Sequence, residues 1–224
     1  MSKGKLIVLE GIDGSGKSTN YKLLCDRLTE NGVDYHSIVF PRYDQESSAL
    51  IRMYLNGEFG SKPDDVNAYT ASTFFSVDRF ASYKSDWGAL YEKGAVIMAD
   101  RYTTSNAVHQ GAKMDKNELA EYFDWLYDLE FDKMKLPKPD LVLYLDVDID
   151  MSLSRMRKRE AQTNTNADIH EKDINYLKRC LETAQIACEH FGWIKIPCRD
   201  MDGRERTIQE VHEDIFRHVR EIIK

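Results

Sequence analysis

The chain has 224 residues, of which 42% are hydrophobic and 31% charged, and its formal net charge is -7 at pH 7. This length is enough for one sizeable α/β core, so we expect a single domain over residues 1–224. The acidic balance argues against a nucleic-acid polymer or an acidic membrane as partner, and any phosphate site must be built by local cations.

Cysteine spacing and the termini bear on location. Cys25, Cys180, Cys188 and Cys198 form no CxxC pair and show no metal-binding spacing, which favours reduced core residues. The N-terminal MSKGK is too short and polar for a signal peptide, and no run reaches 18 apolar residues. We therefore expect a cytoplasmic protein that binds no membrane.

The first predicted strand, residues 6–9, leads into a segment that fits the P-loop pattern G-x-x-x-x-G-K-[ST] at every fixed position. Glycines let the backbone fold around an anion, and Lys17 reaches the outer phosphates. Ser18 is the expected magnesium ligand. The amphipathic helix that follows disfavours a mere Gly/Ser-rich turn. The predicted ATP site comprises Gly11, Ile12, Asp13, Gly14, Ser15, Gly16, Lys17, Ser18 and Thr19.

Strands and helices then alternate along the chain. Predicted strands cover residues 33–40, 95–99, 141–147 and 193–198, and predicted helices include residues 67–83, 118–131, about 168–191 and 210–223. This order predicts an α/β fold, a three-layer doubly wound P-loop sandwich whose five-stranded parallel sheet is flanked by helices. A polar tract at 162–168 predicts a mobile lid over about 151–170.

Asp100-Arg101-Tyr102 follows the third strand and should reach the same sheet edge as the P-loop. Asp100 is a candidate magnesium ligand through water, and Arg101 a candidate contact to the transferring phosphates. A strand-end salt bridge is an equally good interpretation of these three residues alone.

Arg155, Arg157 and Arg159 adjoin the predicted lid. On a helix Arg155 and Arg159 share a face, whereas Arg157 points elsewhere. Such a charge run is usually a solvated surface. Because the P-loop carries no arginine, we expect at least one of the three to close over the phosphates.

Five segments together resemble the thymidylate kinase family: the P-loop, FPRY, TFFSVDR, DRYTTSNAVHQG and LPKPDLVLYLDV. The resemblance covers nearly the whole chain in the family's order. It implies magnesium-dependent transfer of the γ-phosphoryl group of ATP to dTMP, in a protein that is usually a homodimer.

The same resemblance implies roles for individual residues. Arg42, with Tyr43 beside it, would hold the dTMP phosphate, Phe75 would stack on thymine, and Arg79 would bond to the base edge. Asn106, His109 and Gln110 would line the base pocket. Asp13 would lie between the substrates, and the catalytic set would be Asp13, Lys17, Arg101 and the arginines at 155, 157 and 159.

Two positions depart from the family pattern, which commonly has tyrosine where this chain has His109 and His170. These changes bear on acceptor selectivity, including deoxyribose against ribose. Asp168 and Glu171 also fit a capping box. His109 and His170 would equally suit satisfied polar residues at a cleft edge.

Several residues of the predicted acceptor site also suit a structural role. Phe74, Phe75 and Phe80 would fit a core, and Arg42 and Arg79 would fit salt bridges. A kinase for another nucleoside monophosphate or a nucleoside would use the same scaffold, and a nucleotide-binding switch would use the P-loop alone. Arg199 and the loop near Asp202 are weak candidates for the adenine site.

Overall fold

The computed structural model describes residues 3–163, 170 and 173–223. In this part of the chain the strands are β1 (Lys5–Glu10), β2 (Tyr35–Val39), β3 (Val96–Asp100), β4 (Leu141–Asp146) and β5 (Ile194–Pro197). They form one sheet in the order β2-β3-β1-β4-β5, and every neighbouring pair is parallel. The predicted five-stranded parallel α/β sheet is confirmed.

Helices connect the strands. Those of the described residues are α1 (Lys17–Glu30), α2 (Ala49–Leu55), α3 (Ala68–Ser82), α4 (Gly88–Glu92), α5 (Thr103–Ser105), α6 (Leu119–Tyr127), α7 (Ile149–Thr163), α8 (Ile174–Phe191) and α9 (Ile208–Ile222). No helix within these ranges is long and apolar enough to cross a membrane.

The local sequence explains most of these boundaries. Leu24 and Leu28 are fully buried on α1, and the helix ends where Gly32 takes a positive φ of 69°. β1 and β4 are buried along nearly their whole length, as apolar runs in central parallel strands should be. At α9, Thr207 and Glu210 form a reciprocal capping box.

Two helical segments differ from the predictions. No helix was predicted directly after Arg101, where the chain forms α5 and continues as a wide π turn over Asn106–Gln110. The segment contains several small polar residues, so its sequence shows no periodic apolar pattern that would predict a helix. The long C-terminal helix was expected from about residue 168. It begins at Ile174 with Asp173 as its N-cap, and Asp168 and Glu171 lie outside the described residues, as does most of the polar tract.

The register of the sheet positions the site. Leu9 of β1 pairs with Asp100 of β3, and the backbone N–H of Arg101 donates to the Leu9 carbonyl at 3.1 Å. The chain therefore leaves the neighbouring strands β1 and β3 at the same level. It enters the P-loop after β1 and reaches Arg101 after β3. This is the carboxyl edge at which open α/β sheets bind ligands.

Candidate active site

The P-loop connects the end of β1 to the start of α1. Gly14 and Gly16 have φ of 75° and 85°, a conformation that favours glycine. A side chain at Gly14 would also collide with the carbonyl oxygen of Ser152 on α7. The loop is thus closely packed under α7, and it leads into the α1 N-terminus, where backbone amides can bind an anion.

The P-loop lysine is already paired. Lys17 Nζ donates to Asp100 Oδ1, and both side chains are buried. Burial lowers the pKa of Lys17 and Arg101 adds to the effect, whereas Asp100 opposes it. Asp100 therefore holds the lysine beside the loop, in addition to its predicted part in metal binding.

A large cleft extends from the P-loop. Its walls include residues 12–20, Asp100 and Arg101 on one side. The far side is lined by Cys198, Glu205, Arg206, Thr207, Ile208 and Val211. Arg199 and Asp202 do not line it, and Arg199 is paired with Asp148 instead. The chain from Arg199 to Glu205 folds back as an antiparallel bridge. The position of the adenine site stays a prediction.

The three lid arginines separate as helical spacing requires. Arg155 and Arg159 line the cleft, whereas Arg157 is exposed and lines neither cavity. Arg155 Nη1 donates to the Ser15 carbonyl at 2.8 Å, and its Nη2 donates to Glu205 Oε1 at 2.7 Å. Arg155 thereby connects the P-loop with the segment that precedes α9.

A second, smaller cavity opens beside the cleft. It contains most of the predicted acceptor residues, namely Tyr43, Phe75, Arg79, Arg101, Asn106, His109 and Gln110. Asp13 and His170 also line it, together with Phe40, Pro41, Leu55, Tyr102 and Ser105. Three of the predicted residues, Asn106, His109 and Gln110, lie on the π turn after α5.

Arg42 is not among the lining residues. Its Nε lies 3.9 Å from Asp78 and its Nη1 lies 3.9 Å from Asp86, both beyond hydrogen-bond distance. Its Nε is buried without a hydrogen-bond partner in the described structure. Its sequence neighbours Pro41 and Tyr43 line both cavities, while the Arg42 guanidinium lies near two carboxylates.

Arg79 lines the cavity and is also ion-paired. Its Nε donates to Glu130 Oε2 at 2.8 Å, and its Nη2 contacts Glu130 Oε1. Glu130 is fully buried and also accepts from Ser76 Oγ at 2.7 Å and from Thr103 Oγ1. This buried bidentate pair fixes Arg79 from behind the pocket. Sequence reasoning missed Glu130, which sits in an otherwise ordinary acidic helix end.

Two amide side chains, those of Asn106 and Gln110, line the smaller cavity. Asn106 Nδ2 donates to the Ser72 carbonyl at 3.1 Å, so its orientation is fixed by α3. Gln110 is only 1% exposed, and its Oε1 has no hydrogen-bond partner in the described structure. A buried carbonyl oxygen in a cavity wall is suited to accept from a ligand N–H.

The two cavities share five lining residues: Asp13, Phe40, Pro41, Tyr43 and Arg101. Arg101 Nη2 donates to Asp13 Oδ1 at 2.8 Å in the middle of this junction. Burial raises the pKa of Asp13, but Arg101 and the other nearby cations outweigh it and lower the pKa to about 2. Asp13 is therefore ionised at neutral pH and holds the arginine between the cavities.

Glu10, the last residue of β1, was also missed. Its fully buried carboxylate accepts from Gly11 N at 2.8 Å, Thr104 Oγ1 at 2.6 Å and Ser105 Oγ at 2.7 Å. It thus links the start of the P-loop to α5. In the sequence it reads only as the end of an apolar strand.

The donor set suits a magnesium ion held largely by phosphates. Among the described residues no group of three His, Cys, Asp or Glu side chains could enclose a metal. Ser18 and Asp100 line the cleft and offer oxygen atoms. Magnesium is typically bound by one or two protein oxygens with substrate phosphates and water, so these residues fit it.

The chain is similar to several known proteins. A family model described as thymidylate kinase matches residues 9–221. The chain is 35% identical over 136 residues to a thymidylate kinase of Mycobacterium tuberculosis, which is 60% of this chain and 62% of that protein. The match thus spans less than two thirds of that relative. A thymidylate kinase of Plasmodium falciparum is 29% identical over 220 residues, covering 98% of this chain and 91% of that protein.

A solved structure has the same fold. It is that of thymidylate kinase from Candida albicans, which matches with a TM-score of 0.70 at 24% sequence identity. The match covers 99% of this chain and 93% of that one.

Proposed function

The chain belongs to the thymidylate kinase family, and we propose from this that it transfers the γ-phosphoryl group of ATP to dTMP, giving dTDP and ADP. The observation that carries the proposal is the junction of the two cavities at Asp13 and Arg101. A phosphoryl group of a donor in the cleft would lie there next to an acceptor in the smaller cavity. A nucleotide-binding switch would have no use for the second cavity.

The chemistry requires positioning and charge neutralisation. A phosphomonoester has a second pKa of about 6, so the acceptor phosphate is already largely deprotonated at neutral pH. One of its oxygens attacks the γ-phosphorus, the bond from that phosphorus to the β–γ bridging oxygen breaks, and ADP leaves with the electron pair. No general base is needed, and the barrier comes from bringing two anions together.

Each cationic residue then has a place in this step. Lys17 lies against the outer phosphates of ATP, and Arg101 neutralises the transferring group. Arg155 or Arg159 covers the phosphates from the lid, which we propose spans about residues 151–170 of a single kinase domain. Arg42 turns from Asp78 and Asp86 to the acceptor phosphate. Magnesium bound by Ser18 and Asp100 would neutralise charge on the phosphate oxygens of ATP.

The acceptor cavity suits a thymine base. Phe75 offers an aromatic face, and Arg79 offers a donor to a base carbonyl. Gln110 Oε1 offers an acceptor to the N–H of the ring. These three groups match the carbonyl and imide pattern of thymine better than the amino group of cytosine.

We also propose a homodimer in the cytoplasm. Val77 and Phe80 on α3 are 48% and 37% exposed, which leaves an apolar helix face for a second copy. The four cysteines are unpaired, which is consistent with a reducing compartment. Light scattering of the wild type and of Val77→Glu tests the dimer, since the variant should shift the mass to that of a monomer.

A coupled ADP-release assay with ATP and magnesium tests the activity. The acceptors are dTMP, dUMP, dCMP, dGMP, UMP and thymidine, each over a range of concentrations. We expect the highest kcat/KM with dTMP. A clear preference for another acceptor would contradict the substrate assignment, and ATP binding without transfer to any of them would contradict phosphoryl transfer itself.

A further inference from the structure

Arg101 is held in an unusual backbone conformation at the junction. Its φ is 68°, in the left-handed region that residues other than glycine rarely adopt. The residue directly continues β3, and its N–H is fixed to Leu9 of β1. The Arg101 backbone is therefore hydrogen-bonded to β1, and the direction of the guanidinium depends on what its terminal nitrogens contact.

Those nitrogens contact two different elements. Nη2 donates to Asp13 Oδ1 at 2.8 Å, and Nη1 lies 3.0 Å from His109 Nε2. Nη1 is also 3.4 Å from Ser105 Oγ and 3.5 Å from Glu10 Oε1. Arginine prefers to bind a carboxylate through two parallel hydrogen bonds. Here only Nη2 of Arg101 donates to Asp13, whereas Nη1 contacts the imidazole of His109.

The contact fixes the state of the imidazole. Arginine always donates, so His109 Nε2 must accept, and the ring proton must reside on Nδ1. Nδ1 lies 3.7 Å from the Cys180 sulfur on α8. Burial and the charge of Arg101 lower the pKa of His109 to about 4, which agrees with a neutral ring at pH 7.

We propose that His109 is a positioning residue for Arg101: the neutral Nε2 of His109 holds Nη1 away from Asp13 and keeps the guanidinium at the junction of the cavities. The inference rests on the proposed phosphoryl transfer. Without this acceptor, Arg101 would close onto Asp13 as a bidentate pair and leave the path of the phosphoryl group. His109 thus bears on the rate of transfer as well as on the acceptor pocket that it lines.

Three variants test this role in the full-length protein. His109→Phe removes the acceptor, and we expect kcat to fall by about 10²-fold, the typical cost of misplacing a catalytic group by about 1 Å. The KM for ATP should change less than threefold. His109→Gln places an oxygen near the position of Nε2 and should restore kcat to within fivefold of wild type. His218→Phe on α9, which lines neither cavity, is the matched control. Thermal melts identify a variant that fails to fold.

A second measurement is independent of activity. Long-range ¹H–¹⁵N spectra of the histidine rings report the tautomer, and we expect the Nδ1–H form for His109 at pH 7. An Nε2–H or doubly protonated ring would overturn the inference, and so would an unchanged kcat in His109→Phe. Failure of the wild-type protein to phosphorylate any monophosphate would overturn the proposed function, and the positioning role with it, whatever the tautomer.

Discussion

The donor cleft and the acceptor cavity are built in different ways. The phosphate site of the cleft comes from one continuous segment, residues 11–19, between a strand and a helix. The acceptor cavity draws on six separate stretches of the chain, and several of its polar groups are held by buried partners such as Glu130 and Glu10. The phosphate site needs only backbone amides and a turn. The acceptor cavity forms only when distant parts of the chain pack together.

The two sites should therefore respond differently to mutations. A backbone-built phosphate site should tolerate changes in distant side chains, because its donors are fixed by the chain path. A cavity stabilised by buried charges should be sensitive to the loss of any one partner, because the other is left unsatisfied in a medium of low polarity. Variants remote from the ATP site should therefore damage the acceptor side selectively.

The largest effect should follow Glu130→Gln. The change leaves the Arg79 guanidinium buried without its counter-charge, so we expect the free energy of unfolding to fall by about 3–5 kcal/mol. Urea denaturation measures this loss, with Glu121→Gln on exposed α6 surface as control. In the folded fraction the KM for dTMP should rise while the KM for ATP stays constant. An equal rise in the KM for dTMP and the KM for ATP would contradict the proposed difference between the two sites.

Arg101→Ala should act on both sites at once, because Arg101 lines both. Removal of a preorganised charge donor typically costs about 10²–10³ in rate, so we expect a fall of that size in kcat. The KM for ATP should change far less, as measured by initial rates at saturating dTMP. An equal loss in kcat and in ATP affinity would indicate a ground-state role instead.

Much of the fold and part of the junction between the two cavities could be predicted from the sequence. The five strands, the P-loop and the position of Asp100 and Arg101 all follow from local patterns and the sheet-edge rule. Glu10, Glu130 and Lys113 escaped prediction because a carboxylate or lysine in a sequence gives no sign of burial. Arg79 was predicted either to contact the base or to form a salt bridge, and it lines the cavity while paired. The bounds of α8 were misjudged because Asp173, rather than an earlier acid, caps it.

Lys113 near the acceptor cavity should show a pH effect. Its Nζ donates to Tyr54 Oη and the Val66 carbonyl, each at 2.8 Å, and burial lowers its pKa to about 7. The unfolded chain binds more protons than the folded one between pH 7 and about 10.5, so this residue's contribution to stability rises with pH in that window.

Relative to Lys113→Met, the wild type should therefore gain stability between pH 7 and pH 9, by on the order of 2 kcal/mol and at most about 1.4 kcal/mol per pH unit. Chemical denaturation at a series of pH values measures the difference. Lys116→Met removes an exposed lysine from the same stretch and should leave the slope unchanged. Superimposable pH profiles for wild type and Lys113→Met would refute the shift.

Gln110→Leu should have the smallest effect of the four. It removes the one carbonyl that we assign to the base N–H, a loss of about 1 kcal/mol or about fivefold in kcat/KM for dTMP. Stability should hold, since Gln110 Oε1 has no hydrogen-bond partner in the described structure to lose. Gln209→Leu on α9 is the control, and equal kcat/KM in wild type and Gln110→Leu would remove Gln110 from the base site.

The central claim is that phosphoryl passes directly between two substrates bound together at the junction. Initial rates of dTDP formation, measured at several fixed dTMP concentrations while ATP is varied, test this most directly. Direct transfer predicts double-reciprocal lines that intersect, because both cavities must be filled before the phosphoryl group moves. Parallel lines, together with a phosphorylated protein isolated from ATP alone, would contradict it.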